Sequence, residues 1–270
     1  MNRIRVEWIC LKLAIAFSRR HLRYLKIVVG VYLFHLMSTR KGRYLRFGFF
    51  FLQTIDDYLD GDLVHSDVPG YVHQIIAEFR EESFGESELA QLGEAFNASI
   101  PDEQRGVIRE KVLDLIAVME ADYWRVVNRE IWTAEQLEQQ HEQTFSLSLD
   151  LCCAVFEKGF IAAESTPAVI KGLGWCSTVR DFDADFNRGL FNVPSTFLKP
   201  EDCHLTATEF KRRPVYAAWK KDINRLIRDD LAVMQSEVEK VRCRPVRKLL
   251  TMFSRDIHKY HRREVMRGLV

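Results

Sequence analysis

What most constrains this chain is the period of its apolar residues. Over residues 71–82, 86–98, 102–129, 133–162, 167–187, 206–241 and 245–266, apolar side chains recur at i, i+3 and i+4. That spacing lines one face of a helix and cannot line one face of a strand. Start signals divide the segments. Pro101 and Pro167 suit first-turn positions, and Thr133–Gln136 and Thr206–Glu209 have the spacing of capping boxes. Few runs alternate apolar and polar, and no Asn-Gly or Asp-Gly pair offers a hairpin turn. No internal repeat or low-complexity linker interrupts the pattern. The expectation is an all-α fold whose long helices enclose a cavity.

The amino-terminal region differs in charge. Residues 1–50 hold eleven Lys or Arg against one acidic residue, Glu7, a net of +10; since the whole chain sums to +1, the remainder sums to −9. A basic end of this kind suits anionic lipid, phosphate groups or nucleic acid. Residues 4–17 set Ile4, Trp8, Leu11 and Ile15 at helical spacing among basic residues. This helix either packs on the core or lies on an anionic membrane surface. A second, more apolar helix is expected over 22–37, followed by a basic loop at 38–43. The expected division is therefore 1–37, basic amphipathic helices at a membrane surface, and 38–270, the all-α domain. No nucleic-acid reader motif accompanies the basic residues, so no nucleic-acid partner is expected.

The longest apolar run, 27–37, is well short of the roughly 20 residues of a membrane span. Lys12 breaks the would-be apolar region of a signal peptide. Six scattered cysteines without a CxxC argue against a disulfide framework or zinc cluster, with Cys152 and Cys153 expected in the core. The expected setting is cytoplasmic, peripheral to a membrane. His141, His204 and His258 are isolated in sequence and read as structural or surface residues. The basic tail from Arg255 to Arg267 reads as a solvated helix end.

Two acidic patches carry the chemistry. Asp56 and Asp60 are four residues apart, as are Asp181 and Asp185, so each pair projects from one helix face about 6 Å apart. At an effective dielectric near 20 each pair repels by roughly 3 kcal/mol. Asp56 follows Phe49-Phe50-Phe51-Leu52 and Asp181 follows Gly174-Trp175-Cys176, both apolar surroundings. Carboxylates there need cationic partners, and clustered carboxylate oxygens suit Mg²⁺, which is commonly completed by substrate phosphates. The two patches are expected to face one another across one cavity. Asp183 falls off the Asp181–Asp185 face and reads as solvated.

These residues resemble the squalene/phytoene synthase family, all-α enzymes that join two prenyl diphosphates. Asp56-Asp57-Tyr58-Leu59-Asp60-Gly61 is similar to that family's first aspartate-rich motif. Arg180, Asp181, Asp185, Gly189 and Pro194 fall at each place of its second, R-D-x-x-x-D-x-x-x-G-x-x-x-x-P. Met119–Asp122 and Trp132–Leu137 resemble its central helix and the entry to the next. The likeness runs over about residues 40–260 in helix order. It implies a single-domain isoprenoid-synthase-type bundle around a central apolar cavity and a prenyltransferase activity. Asp56, Asp60, Asp181 and Asp185 would bind Mg²⁺. Arg180, Arg40, Arg43, Gln53 and Ser177 would contact a prenyl diphosphate of the farnesyl or geranylgeranyl class. Phe47, Phe50, Phe51, Phe145 and Phe182 would wall an allylic cation from water. The chain departs from the family pattern at Gln53, Gly174, Ser177, Leu190 and Asn192, and lacks the usual Tyr near 140–145. A non-catalytic relative acting as an assembly or scaffold protein at a membrane is the alternative implied.

Overall fold

The computed structural model describes residues 3–20, 25, 27–32 and 38–265, and every regular element among them is helical. The chain is all-α. The labelled helices are α1 (Arg3–Arg20), α2 (Thr39–Leu59), α3 (Val68–Glu81), α4 (Glu88–Ser99), α5 (Arg105–Asn128), α6 (Ala134–Cys153), α7 (Ala162–Ser165), α8 (Pro167–Arg188), α9 (Ala207–Lys211), α10 (Pro214–Lys240) and α11 (Arg244–Tyr260). A π turn, His261–Val265, follows α11. Residues 27–32 are helical; the rest of the helix expected over 22–37, apart from residue 25, which is also helical, lies outside the described residues, as does the tail beyond 265.

Caps explain most boundaries. The Thr133 hydroxyl accepts from the Gln136 N–H while the Gln136 side chain accepts from the Thr133 N–H, and Thr206 and Glu209 do the same. Two expected helices are broken. The 206–241 segment divides at Arg213-Pro214, because a proline has no N–H to continue the ladder and instead takes the first position of α10. The 133–162 segment ends at Cys153, and a turn through Gly159 at φ +76° leads to α7. Buried Asp150 fixes that turn by accepting the Ala162 N–H at 2.7 Å.

The helices gather into two compact units, residues 1–116 and 117–270, with the boundary within α5. In the first, α2 packs against α1, α3 and α4. Its core is aromatic: Phe50 stacks on Phe17 at 5.8 Å between ring centres, Phe51 on Phe79 at 5.4 Å, and Tyr44 packs on Phe96 at 5.3 Å. Gly48 admits Phe96, whose ring edge would lie 2.8 Å from an added Cβ. Lys12 on α1 bridges Glu88 at 2.7 Å.

In the second unit α8 is the central helix, packing on α6, α7, α9, α10, α11 and the π turn. Pro167 opens it, and Glu237 of α10 accepts the Ala168 N–H at 3.0 Å, a carboxylate at the positive end of the helix. Phe182 and Phe186, one turn apart, drive into a cluster with Phe210, Tyr216 and Trp219; the ring centres of Phe182 and Trp219 are 5.2 Å apart, and those of Phe186 and Phe210 4.9 Å. Trp219 is fully buried, yet its indole N–H has no hydrogen-bond partner. Truncating it loses the packing, while Phe removes the orphaned donor along with part of the volume. Trp219→Ala is expected to lower stability by about 3–5 kcal/mol and Trp219→Phe by about 1 kcal/mol or less, measured by urea unfolding.

Candidate functional site

Gly174, Thr178, Asp181 and Asp185 are separated by four, three and four residues and share one stripe of α8, beside the aromatic stripe of Phe182 and Phe186. The helix ends one turn after Asp185. Gly189 adopts φ +95°, its N–H bonding to Phe186, while Leu190 donates to the Asp185 carbonyl at 2.8 Å. Gly189 therefore has a structural reason to be glycine, and the cap places both carboxylates in the last two turns. That is the negative end of the helix dipole, where Asp185, in the last turn, is disfavoured by about 0.3–1 kcal/mol.

Cations and donors gather there accordingly. Arg180 Nε reaches Asp181 Oδ1 at 3.0 Å and Oδ2 at 3.1 Å, and Nη2 reaches Oδ2 at 2.5 Å. The Ser177 hydroxyl accepts from Arg180 at 2.7 Å and lies 3.3 Å from Asp181 as a donor. Asn192 Nδ2 donates to Asp185 Oδ2 at 3.1 Å, with Arg188 3.9 Å from Oδ1. The two carboxylate side chains are 25% and 19% exposed, so water or a ligand can reach both. Asp183 pairs with Lys211 at 2.5 Å on a more exposed side, as its position off the stripe requires. Tyr260, the last residue of α11, feels both Arg180 and Asp181; burial first, then Glu264, raises its pKa, so it remains a phenol.

Arg125 on α5 ties this end of α8 in place, a role that no local motif marks. Buried at 1% exposure, it donates to Asp122 at 2.6 Å, to the Phe191 carbonyl at 2.9 Å and to Asn192 Oδ1 at 3.2 Å. Its guanidinium carbon sits 4.0 Å from the centre of the Trp132 ring. Asn192 thus accepts from Arg125 and donates to Asp185. Its amide orientation is set on both sides.

His141 was read as an isolated residue, but α6 delivers it to the same stripe. Its Nε2 is 3.0 Å from the Thr178 hydroxyl and its ring packs edge-on to Trp175 at 4.9 Å. An added Cβ at Gly174 would lie 2.6 Å from the His141 Cβ, so the glycine there is what admits the histidine. Its Nδ1 is buried without a partner. Burial first, then the nearby Arg125 charge, lowers the His141 pKa to about 3.

The first patch closes α2. Asp56 and Asp57 lie in its last turn, Asp60 caps it, and Gly61 at φ +79° turns the chain away. No Lys or Arg lies in that turn. Gln53 Nε2 donates to Asp56 Oδ2 and Asp57 Oδ1, both at 3.1 Å. Asp57 is buried, leaving Asp56 and Asp60 as the accessible pair. Arg40 and Arg43 lie in the opposite, first turn of this helix. At 1.5 Å per residue they sit about 24 and 20 Å from Asp56 along the axis, too far to share a phosphate held there. Arg43 instead bonds the Thr39 carbonyl at 3.1 Å. The buried cation of α2 is Arg46, paired with Glu7 of α1.

The aromatic candidates are packed against neighbouring helices. Phe47, Phe50 and Phe51 are buried in the first unit, and Phe182 in the second, with Phe145 packed against that same core. Cys153 is buried as expected, but Cys152 is exposed; all six cysteines are free thiols. Two surface depressions, of about 480 Å³ along Arg129, Pro200 and His204 and about 330 Å³ along Lys248, Thr251 and Arg255, are lined by none of the four aspartates. Among the described residues no group of three or more His, Cys, Asp or Glu is disposed to hold a metal. The paired carboxylates still suit Mg²⁺, which needs only one or two carboxylates when phosphate oxygens complete its shell. No described helix is long and apolar enough to cross a membrane. No protein-family model, curated protein or solved structure matches the chain.

Arg125→Ala is expected to cost about 3 kcal/mol, because the Phe191 carbonyl and the Asn192 oxygen lose their donor while Asp122 keeps some access to water. Arg125→Lys should recover little, since an ammonium cannot fork across the same acceptors. Denaturant titration of the three proteins checks this. A second expectation concerns pH. His141 is held neutral in the fold, so the unfolded chain binds the extra proton between its ordinary pKa near 6.5 and the folded value of about 3. Stability should therefore be full above pH 6.5 and fall as pH drops towards 3. Replacing His141 with Gln should flatten that decline in melting temperature.

Proposed function

We propose that this chain is a Mg²⁺-dependent prenyl diphosphate enzyme that ionises an allylic diphosphate of the farnesyl or geranylgeranyl class and couples it to a second in head-to-head fashion. One observation carries the reading: Arg180, Asp181 and Asp185 lie together at the negative end of the central helix, accessible on their outer side and fixed from behind by Arg125 and Asn192. Carboxylates placed there are stabilised by a bound cation, and a cation so held is suited to phosphate. Buried aromatic packing of Phe182 and Phe186 on the adjoining stripe gives the helix a rigid seat.

Mg²⁺, when bound, would supply the Lewis acid that stabilises a departing diphosphate. Asp181 and Asp185 would hold it, with Asp56 and Asp60 as the corresponding pair of the first motif. Arg180, half exposed, would turn part of its charge to the phosphate oxygens, with Ser177 orienting it. Tyr260, kept protonated, would offer a hydroxyl donor near the same carboxylate. Asn192 would hold Asp185 in one orientation. His141, neutral and buried, would serve packing and not proton transfer at neutral pH.

A second reading, a non-catalytic assembly protein at a membrane, draws on the closed Arg180–Asp181 pair, which can neutralise Asp181 without a metal. Turnover separates the two. With Mg²⁺ and farnesyl or geranylgeranyl diphosphate, the protein should release inorganic diphosphate, and Asp181→Ala should reduce that release by about 100-fold or more. Absence of release from either substrate by the folded protein would favour the assembly reading. Undiminished release by the variant would remove α8 from the chemistry.

A further inference from the structure

We propose that the outward face of α1 docks the protein on an anionic lipid bilayer. The helix has two apolar faces. Val6, Ile9, Cys10, Ala14 and Phe17 are buried against the first unit, while Ile4, Trp8, Leu11 and Ile15 on the opposite side are 83%, 63%, 44% and 48% exposed. At 100° per residue these four fall within about 60° of one another, a continuous apolar stripe about three turns long. Arg5, Lys12 and Arg19, seven residues apart, form a parallel row directly beside it, and all three are exposed. Leu25, Ile27 and Val29 add further exposed apolar side chains just after the helix.

Charge selects the occupant. The first fifty residues carry +10, so a second copy packing its stripe on this one would bring two strongly basic segments together. An anionic bilayer offers the complement: acyl chains for the stripe, headgroup phosphates for the flanking row, and an interfacial setting for an indole. Helix α1 is already held by its inner face, through Phe17 on Phe50 and Lys12 on Glu88, so docking avoids the cost of folding the helix.

The test uses the full chain and vesicles of phosphatidylcholine, alone or mixed with phosphatidylglycerol, in a sedimentation assay. Binding is expected to the mixed vesicles, to weaken as salt rises, and to be slight on phosphatidylcholine alone. Trp8→Glu with Ile15→Glu should weaken it by about tenfold or more, and Arg5→Glu with Arg19→Glu should abolish the preference for the anionic lipid. Lys12 is left intact because it holds Glu88. All proteins should share one melting temperature, since the four altered positions are exposed. Failure of the parent protein to bind mixed vesicles overturns the proposal, as does undiminished binding by the Trp8/Ile15 variant. A dimer that the Trp8/Ile15 variant converts to monomer, with vesicle binding unchanged, overturns it in favour of self-association. Diphosphate release in solution should be the same in parent and variant, so this inference and the enzymatic reading fail separately.

Discussion

A single buried guanidinium fixes the geometry on which the candidate site depends. Arg125 leaves α5 with its charge shielded from water, and its Nη1 and Nη2 groups donate to Asp122, to a backbone carbonyl just beyond α8 and to Asn192. Asn192 relays the constraint to Asp185. A buried charge with partners on two separate segments is costly to misplace, which makes the end of α8 and the Phe191–Asn192 turn one unit with α5. Asn192 joins Arg125 to the carboxylate stripe, accepting from the one and donating to the other.

Helix α8 divides its duties between adjoining stripes. Phe182 and Phe186 bury in the core of the second unit, and Asp181 and Asp185, each one residue earlier, emerge beside them. Burying the aromatic stripe therefore orients the acidic one. Both aspartate pairs share a second property: each stands at the carboxyl-terminal end of its helix, and each helix is stopped by a glycine at positive φ, Gly61 or Gly189. The dipole disfavours negative charge at both places, so whatever maintains these residues must compensate with positive charge or strong donors. In α8 the protein supplies Arg180, Arg188 and Asn192; the last turn of α2 contains no basic residue.

Local chemistry was legible in the sequence and long-range chemistry was not. The capping boxes at Thr133 and Thr206, Pro167 at the head of α8, and the pairing of Asp181 with Asp185 all follow from neighbours within four residues. The ends of α6 and of α9 were missed because apolar spacing continues through Cys153 and through Arg213-Pro214, where backbone chemistry overrides it. Arg125 was missed because its partners Phe191 and Asn192 lie 66 and 67 residues away. His141 looked isolated for the same reason: its partner Thr178 and the space left by Gly174 belong to another helix. Arg40 and Arg43 illustrate the opposite case. Their charge suited phosphate, but one unbroken helix carries them to the far end from Asp56. For the aromatic candidates, helical spacing alone cannot distinguish a cavity wall from a filled core.

Binding of inorganic diphosphate tests the central claim most directly, because it depends on neither the prenyl chain nor catalysis. Calorimetric titration of the full chain is expected to show diphosphate binding in the presence of Mg²⁺ and none with Mg²⁺ omitted, and the double variant Asp181→Asn, Asp185→Asn should lose it while keeping its helical content. Equal binding by that variant, or binding unaffected by Mg²⁺, would contradict the assignment of the α8 carboxylates as the metal and phosphate site.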